Sequence, residues 1–338
     1  MTDTPPKNAH PTMGDIARLA NVSKPTVSRA LSGSPLVSKE KRDHILAVAR
    51  EHGYAVNRNA QRLRQSRANT VAVMLDFGSN RHGAIGDPFI FELLAGVSEA
   101  LSVRDMDLLL SPPGLETEAD YLDFYRSRNA DGFIILGQGS REGMLRSLAR
   151  KGLPMVVWGA VMPDSGYCAV GSNNLEGGKL AGQRFATHGA TKWLFVGNTD
   201  HEEIRLRYDG LAQEARQAGI AKPDILNIDV VAFSQTYRQA LDHLDTDRQP
   251  DAIFAFSDTA AMAVISALRE KKLSPPDDYL LVGYNDIPPS AHFNPPISTI
   301  EQDTSTAGAI LVEKLMQIVD GGKPKSTFLP TRLIVRGT

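Results

Sequence analysis

Residues 12–34 read TMGDIARLANVSKPTVSRALSGS, and the spacing of their apolar positions decides the fold of the N-terminal part. Ile16, Leu19 and Ala20 recur at helical spacing behind Thr12, and Asp15 stands three places after it, so Thr12 and Asp15 make a candidate capping pair. Asn21-Val22-Ser23 interrupts the pattern. A second short helix follows, with Val27, Ala30 and Leu31 facing inward and Lys24, Thr26, Ser28 and Arg29 facing out. Ser23 is a candidate N-cap, and Pro25 is tolerated because N–H groups of a first helical turn have no intrahelical acceptor to lose. Two short helices joined by a tight turn suit a DNA major groove, where Arg29 can contact guanine with two hydrogen bonds and Lys24 a base or phosphate. The same spacing also fits an ordinary helical hairpin in a small bundle.

The residues that follow favour the first alternative. After Gly33-Ser34-Pro35, Ser38 caps a third amphipathic segment with Ile45, Leu46, Val48 and Ala49 as its apolar positions and Gly53 at its end. Tyr54 to Asn57 then lead into Arg58-Asn59-Ala60-Gln61-Arg62-Leu63-Arg64, a basic stretch whose single large apolar residue has no evident core to enter.

The run from Met13 to Arg64 resembles the DNA-binding headpiece and hinge of the LacI/GalR family of bacterial transcription regulators. The likeness is carried by the VSxxTVSRAL segment, the GSPLVS loop, the HGY helix end and the NxxAQRLR hinge. It implies DNA contacts from Thr12, Ser23, Lys24, Thr26, Ser28, Arg29, Asn57, Arg58, Gln61, Arg62 and Leu63. It also implies a hinge helix and linker at residues 57–69, of which Asn57 to Arg64 folds to a helix only when two protomers sit together on an operator, with Leu63 wedged into the minor groove. Unstacking a base step costs on the order of a few kcal/mol, recovered through the contacts that bent DNA permits. The alternative for Leu63 is a linker leucine packed on the headpiece.

Composition agrees with this division. The chain has 338 residues, enough for a headpiece at 12–56 and a two-lobed core at 70–338. Residues 1–70 hold 12 Lys and Arg against 5 Asp and Glu, about +7, which leaves about −9 for the remainder of a chain whose formal charge is −2. Local positive charge on an acidic protein supplies non-specific affinity for DNA. Residues 1–11 are polar and proline-rich, reading as a disordered tail rather than a signal peptide. One cysteine and no apolar run of membrane-spanning length make a bacterial cytoplasm, in association with the nucleoid, the expected location, with no membrane partner.

From Thr70 onward apolar runs alternate with amphipathic stretches. Candidate strands are Val71 to Leu75, Asp107 to Leu110, Gly132 to Leu136, Met155 to Trp158, Trp193 to Val196, Ala252 to Phe256 and Leu280 to Gly283. Such runs belong in parallel α/β sheets covered on both faces, with ligands bound beyond the carboxyl ends of the strands. The family resemblance, looser here, implies a periplasmic-binding-protein-like core crossed three times by the chain. Its first lobe would take about 70–169 and 299–325, its second about 170–298 and 326–338, with a small-molecule effector in the cleft. No leucine heptad follows Arg332, so a homodimer without a tetramerising tail is expected.

By the same resemblance Arg207, within RLRYDG, is the arginine that binds sugar hydroxyls or a carboxylate, a role that its planar five-donor fork suits. Ser257 and Asp258 follow one strand and Asn285 another; the alternative for Asp258 is a helix N-cap. Asn285 departs from the aspartate commonest at its position. Asp87 and Phe89 resemble the segment after the first strand, and the preceding FGSNRHGAIG makes that alignment loose. Trp158 either stacks on a pyranose or belongs to the core. Carbohydrate is the leading effector class, with a purine or other non-sugar metabolite as the alternative.

Other classes fit less well. Gly137-Gln138-Gly139 with Gly143 suggests a dinucleotide fingerprint, but its third glycine is one place late and the next strand ends without an acidic residue for a ribose. The eight histidines lack metal spacing, and no Ser/His/Asp set forms a nucleophile elbow, so no catalytic residue, metal or cofactor is nominated. A secreted sugar-binding protein would share the two-lobed fold but would lack the headpiece and need a signal peptide. The sequence therefore reads as a sequence-specific DNA-binding regulator, more a repressor than an activator. It would bind a palindromic operator as a homodimer under the control of the effector, which acts as inducer or corepressor.

Overall fold

The computed structural model describes residues 11–31, 34–54, 67–75, 88–110, 115–139, 141–228, 233–244 and 249–338. The chain divides into two compact units, Met1–Arg67 and Ala68–Thr338. The hinge residues Asn57, Arg58, Gln61, Arg62 and Leu63, the extra loop before Asp87, Asp87 itself and nearly all of the N-terminal tail lie outside the described residues.

In the first unit, α1 (Met13–Leu19) opens on the expected reciprocal cap. Thr12 accepts from the Asp15 amide at 3.3 Å, while the Asp15 carboxylate accepts the Thr12 amide at 2.9 Å and the Thr12 hydroxyl at 2.7 Å. These hydrogen bonds hold the Asp15 carboxyl below its ordinary range. The second helix, α2 (Lys24–Leu31), starts after Ser23, whose hydroxyl accepts from the Thr26 amide at 3.3 Å. The third, α3 (Lys39–Glu51), is capped by Ser38 and ends before Gly53, whose φ of +65° is left-handed. Ile16, Ala17, Ala20, Val27, Ala30, Val37, Ile45 and Ala49 make one small core, with Tyr54 packed on its edge.

Two six-stranded sheets form the second unit. The first contains β1 (Thr70–Leu75), β2 (Asp107–Leu110), β3 (Gly132–Leu136), β4 (Met155–Trp158), β5 (Cys168–Ser172) and β11 (Thr327–Leu329), in the order β11-β5-β4-β3-β1-β2 with every pairing parallel. Side chains alternate across it as strand geometry requires. Val71, Val73, Ile134, Val156 and Val170 meet α4 (Pro88–Ser102) and α12 (Thr304–Val319) on one face. Ala72, Phe133, Ile135 and Val157 meet α5 (Glu118–Arg126) and α6 (Glu142–Arg150) on the other.

The second sheet contains β6 (Trp193–Val196), β7 (Asp224–Leu226), β8 (Ala252–Ala255), β9 (Leu280–Asn285), β10 (Ser298–Glu301) and β12 (Arg332–Ile334), in the order β12-β10-β9-β8-β6-β7. Only the β10–β12 pairing among them is antiparallel. Its helices are α7 (Asn174–Thr187), α8 (Glu202–Gln217), α9 (Phe233–His243), α10 (Asp258–Glu270) and the short α11 (Pro288–His292). The strands expected at 107–110, 132–136, 155–158 and 193–196 have those bounds; the one expected to reach Phe256 stops at Ala255, and the one expected to stop at Gly283 runs on to Asn285.

Sheet membership moves the three lobe crossings later than expected. β5 stays in the first sheet through Ser172, β10 in the second through Glu301, and β11 returns to the first through Leu329. The crossings also touch one another: Asn173 donates its amide to the Leu329 carbonyl at 3.1 Å, and the Thr331 hydroxyl to the Asn173 carbonyl at 3.5 Å.

Helices α7 and α8 pack with backbone against backbone. A Cβ on Gly178 would stand 2.0 Å from the Arg207 carbonyl oxygen, and one on Gly210 would stand 2.1 Å from that of Leu175. Glycine at both places lets α8 approach α7 closely enough to deliver Arg207. Gly210→Ala should therefore force the helices apart and destabilise the protein by about 1–3 kcal/mol, the usual range for overpacking. Urea unfolding checks this, and an unchanged midpoint would show that the contact relaxes freely.

Candidate functional site

On the outward side of α2, Ser23, Lys24 and Arg29 are exposed while Thr26 and Ser28 are half-buried. Val27 and Ala30 turn the opposite side into the core. The Ser23 and Thr26 hydroxyls lie 2.8 Å apart, and exposed Thr12 serves α1 as its cap, so these three side chains have local hydrogen-bonding duties as well. Lys24 and Arg29 carry the positive charge of this face.

In the second unit a polar network gathers where the lobes join. Arg207, only 6% exposed on α8, donates from Nε to the Asn174 side-chain oxygen at 2.8 Å and from a terminal nitrogen to the Phe256 carbonyl at 2.5 Å. Its guanidinium lies 3.6 Å from the centroid of the Tyr284 ring. Tyr284 is fully buried, and burial raises its phenol above the ordinary range despite the opposing effect of Arg207. The Tyr284 hydroxyl lies 3.4 Å from that of Ser172, which donates to the Gln302 side-chain oxygen; the Gln302 amide nitrogen donates to the Asn285 side-chain oxygen at 2.6 Å. Arg207 and Asn285 are thus joined through Ser172 and Gln302, which stand at two of the three crossings.

Among the described residues the direct partners of Arg207 are electrically neutral, although the charge of Glu203 on the same helix is felt at the Tyr284 ring. The guanidinium is thus pinned by an amide, a carbonyl and a ring. Such an arrangement preserves a positive charge for acceptor groups of a polar ligand.

The segment after β9 is strained. Asn285 has φ +112° and Asp286 φ +57°, conformations that side chains other than glycine seldom adopt. Asp286 pairs with Arg336 at 2.6 Å, and two residues after Asn285 the side chain of Ile287 is buried in the apolar cluster of the first lobe. That cluster includes Phe89 and Trp158, whose rings pack on each other at 5.9 Å. Trp158, at 4% exposure, therefore takes the core position of the two roles open to it in the sequence.

Ser257 and Asp258 also occupy defined structural positions. The α10 N-cap is Ser257, accepting from the Ala260 amide at 3.1 Å. Asp258, fully buried, accepts instead from the Ile287 amide at 2.9 Å and the Thr299 hydroxyl at 2.5 Å, tying α10 to the strained segment and β10. Gln138, from the glycine-rich stretch that suggested a dinucleotide, locks two loops together. It bonds to both backbone groups of Ala160 at 2.8 and 2.9 Å and to the Tyr167 hydroxyl at 2.8 Å.

Sequence reasoning did not single out Ser172, Asn174, Tyr284 or Gln302. Tyr284 adjoins Asn285 within GYN and offered a signal; Ser172 and Asn174 flank the end of a strand absent from the expected set.

Asp258→Ala should expose this arrangement, because it leaves a buried amide and hydroxyl without their acceptor at a cost of about 1–3 kcal/mol each. The expected result is a marked fall in the denaturation midpoint of the ligand-free protein. A wild-type midpoint would remove the structural role given to this carboxylate.

Comparisons with known proteins agree with this architecture. Residues 12–57 match the family model described as bacterial regulatory proteins, lacI family, and residues 183–338 match that of the periplasmic binding protein-like domain. The HTH-type transcriptional repressor PurR of Photobacterium profundum is 29% identical over 315 residues, covering 91% of this chain and 92% of the relative. The HTH-type transcriptional regulator CelR of Thermobifida fusca is 29% identical over 338 residues, with 98% of each covered. Among solved structures, the Lac repressor dimer bound to operator and an anti-inducer superposes with a TM-score of 0.83 at 22% identity, covering 98% of this chain and 99% of that one. A CelR–cellobiose complex gives 0.68 at 26% identity, covering 97% and 99%. From the helix-turn-helix unit, the two-lobed core and these matches together, the chain joins a DNA-binding domain of the lacI family of bacterial regulatory proteins to a periplasmic binding protein-like domain.

Proposed function

We propose that this chain is a cytoplasmic transcriptional repressor that binds a palindromic operator as a homodimer and changes its operator affinity when a small polar metabolite occupies the cleft. The observation that carries the effector half is Arg207, a buried guanidinium held by neutral partners among the described residues and linked through hydrogen bonds to the crossings. The DNA half is supported by the exposed Lys24 and Arg29 on α2 and the basic charge of residues 1–70. Residues 57–64 supply the paired hinge in this reading, with Leu63 in the minor groove. Arg207, Ser257, Asp258 and Asn285 belong to the effector region in this reading, together with Asp87 and Phe89 on the first-lobe side, while Trp158 backs Phe89 from the core.

A sugar is the leading effector. Relatives include the ribose operon repressor of Escherichia coli K12, 29% identical over 320 residues, and the CelR structure that holds cellobiose. A purine is the second reading, favoured by the PurR relative. Either class offers the acceptor oxygens or nitrogens that a pinned guanidinium recognises. No step of this function requires catalysis or a cofactor. The effector shifts the equilibrium only by its different affinity for the two lobe arrangements, and tenfold operator release takes about 1.4 kcal/mol.

Two experiments test the two halves. Duplexes selected by the protein from random DNA should be palindromic, hold two protomers each, and bind with an affinity that falls steeply with added salt. Binding indifferent to salt would contradict DNA recognition by the basic unit. For the effector, a thermal-shift screen of sugars and purines should yield a stabilising compound. Arg207→Ala should abolish its effect on operator release while leaving DNA binding intact, and an unaltered response would remove Arg207 from the ligand site.

A further inference from the structure

The place where the chain enters the core carries a contact that the sheet itself does not need. The ladder of β1 begins with Thr70 opposite Asp107 and Val71 opposite Gly132. Upstream of it, the Asp131 carboxylate accepts the Ala68 amide on one oxygen and the Asn69 amide on the other, both at 2.7 Å. Asp131 is 9% exposed and Ala68 3%. Short hydrogen bonds to an ionised carboxylate are among the stronger ones, and two from consecutive amides fix both position and direction of the chain.

The opposite side of this segment is held as well. Asn69, left-handed at φ +55°, donates its side-chain amide to the Asp105 carbonyl at 3.1 Å and accepts the Asp107 amide on its own carbonyl at 2.9 Å. The Thr70 hydroxyl bonds back to the Ala68 carbonyl at 3.2 Å. Ala68 is the first residue of the second unit, so these bonds extend the fixed chain beyond the strand, toward the DNA-binding unit.

We propose that Asp131 is a positioning residue for operator recognition. By clamping Ala68 and Asn69 it sets the point and direction from which the linker leaves the first lobe. A movement of that lobe then displaces the root of the linker instead of being taken up by slack chain. The control of operator affinity by the cleft rests on the function proposed above; the fixing of the linker root does not.

The test compares Asp131→Asn, which keeps one uncharged acceptor, with Asp131→Ala, which keeps none, in the full-length protein. Affinity is measured for the palindromic duplex selected from random DNA and for an unrelated duplex of equal length, alongside the melting temperature. The specific-to-non-specific ratio should fall by about tenfold in the alanine variant and by less in the asparagine variant, because the two linkers no longer start from a fixed separation. Affinity for the unrelated duplex should not change. Where the alanine variant fails to fold, the asparagine variant decides. A lowered melting temperature with a wild-type ratio in the folded variants would overturn the proposal and leave Asp131 a purely structural clamp. Because the ratio is measured without ligand, a wild type indifferent to every effector would count against the proposed cleft control and leave this result readable.

Discussion

A guanidinium held away from bulk water needs acceptors, and around Arg207 they are the Asn174 side chain, the Phe256 carbonyl and the face of Tyr284. All three are supplied by one lobe: α7 begins with Asn174, Phe256 follows β8, and Tyr284 lies on β9. The glycine contact between α7 and α8 brings the two helices to backbone distance, with Arg207 of α8 bonded to Asn174 of α7. Held by neutral groups among the described residues, the arginine has a fixed position, the geometry that the proposed recognition of polar ligand atoms needs.

The same network explains how the site can be felt elsewhere. Tyr284 meets Ser172 at the first crossing, Ser172 bonds to Gln302 at the second, and Gln302 returns to Asn285 beside the strained turn. Asp258 and Arg336 hold that turn from two directions, and Ile287 carries it into the apolar cluster of the first lobe. A ligand that exchanges contacts with Arg207 or Asn285 therefore acts on groups that belong to both lobes and to the crossings between them. Such shared groups are the physical basis on which binding at one place can bias an arrangement of the whole core.

Much of this fold could be read from the sequence because its signals are local. The capping pair Thr12–Asp15, the N-caps Ser23 and Ser38 and the stop at Gly53 each depend on residues within a few places of one another. The runs GFIIL, MVVW and WLFV are nearly pure apolar stretches, and all three are buried strands. What the pattern missed are the strands CAVGS and STIE, whose small and polar residues do not form an apolar run, and the short edge strands DIL, TFL and RLI. The lobe crossings were placed too early because β5 and β10 extend past the boundaries suggested by resemblance. Arg207 was legible from its motif. Its neighbourhood was not, since Ser172 meets Gln302 across 130 residues of chain and Tyr284 across 112, distances over which sequence spacing carries no information.

The central claim is a coupling between the cleft and DNA, and coupling is reciprocal in equilibrium binding. Its most direct measure is the affinity of the sugar or purine that stabilises the protein most, determined by calorimetry once for the free dimer and once for the dimer saturated with operator. The account predicts two different dissociation constants whose ratio equals the factor by which that compound changes operator affinity. Identical constants in the two states, for a compound bound at Arg207, would contradict it.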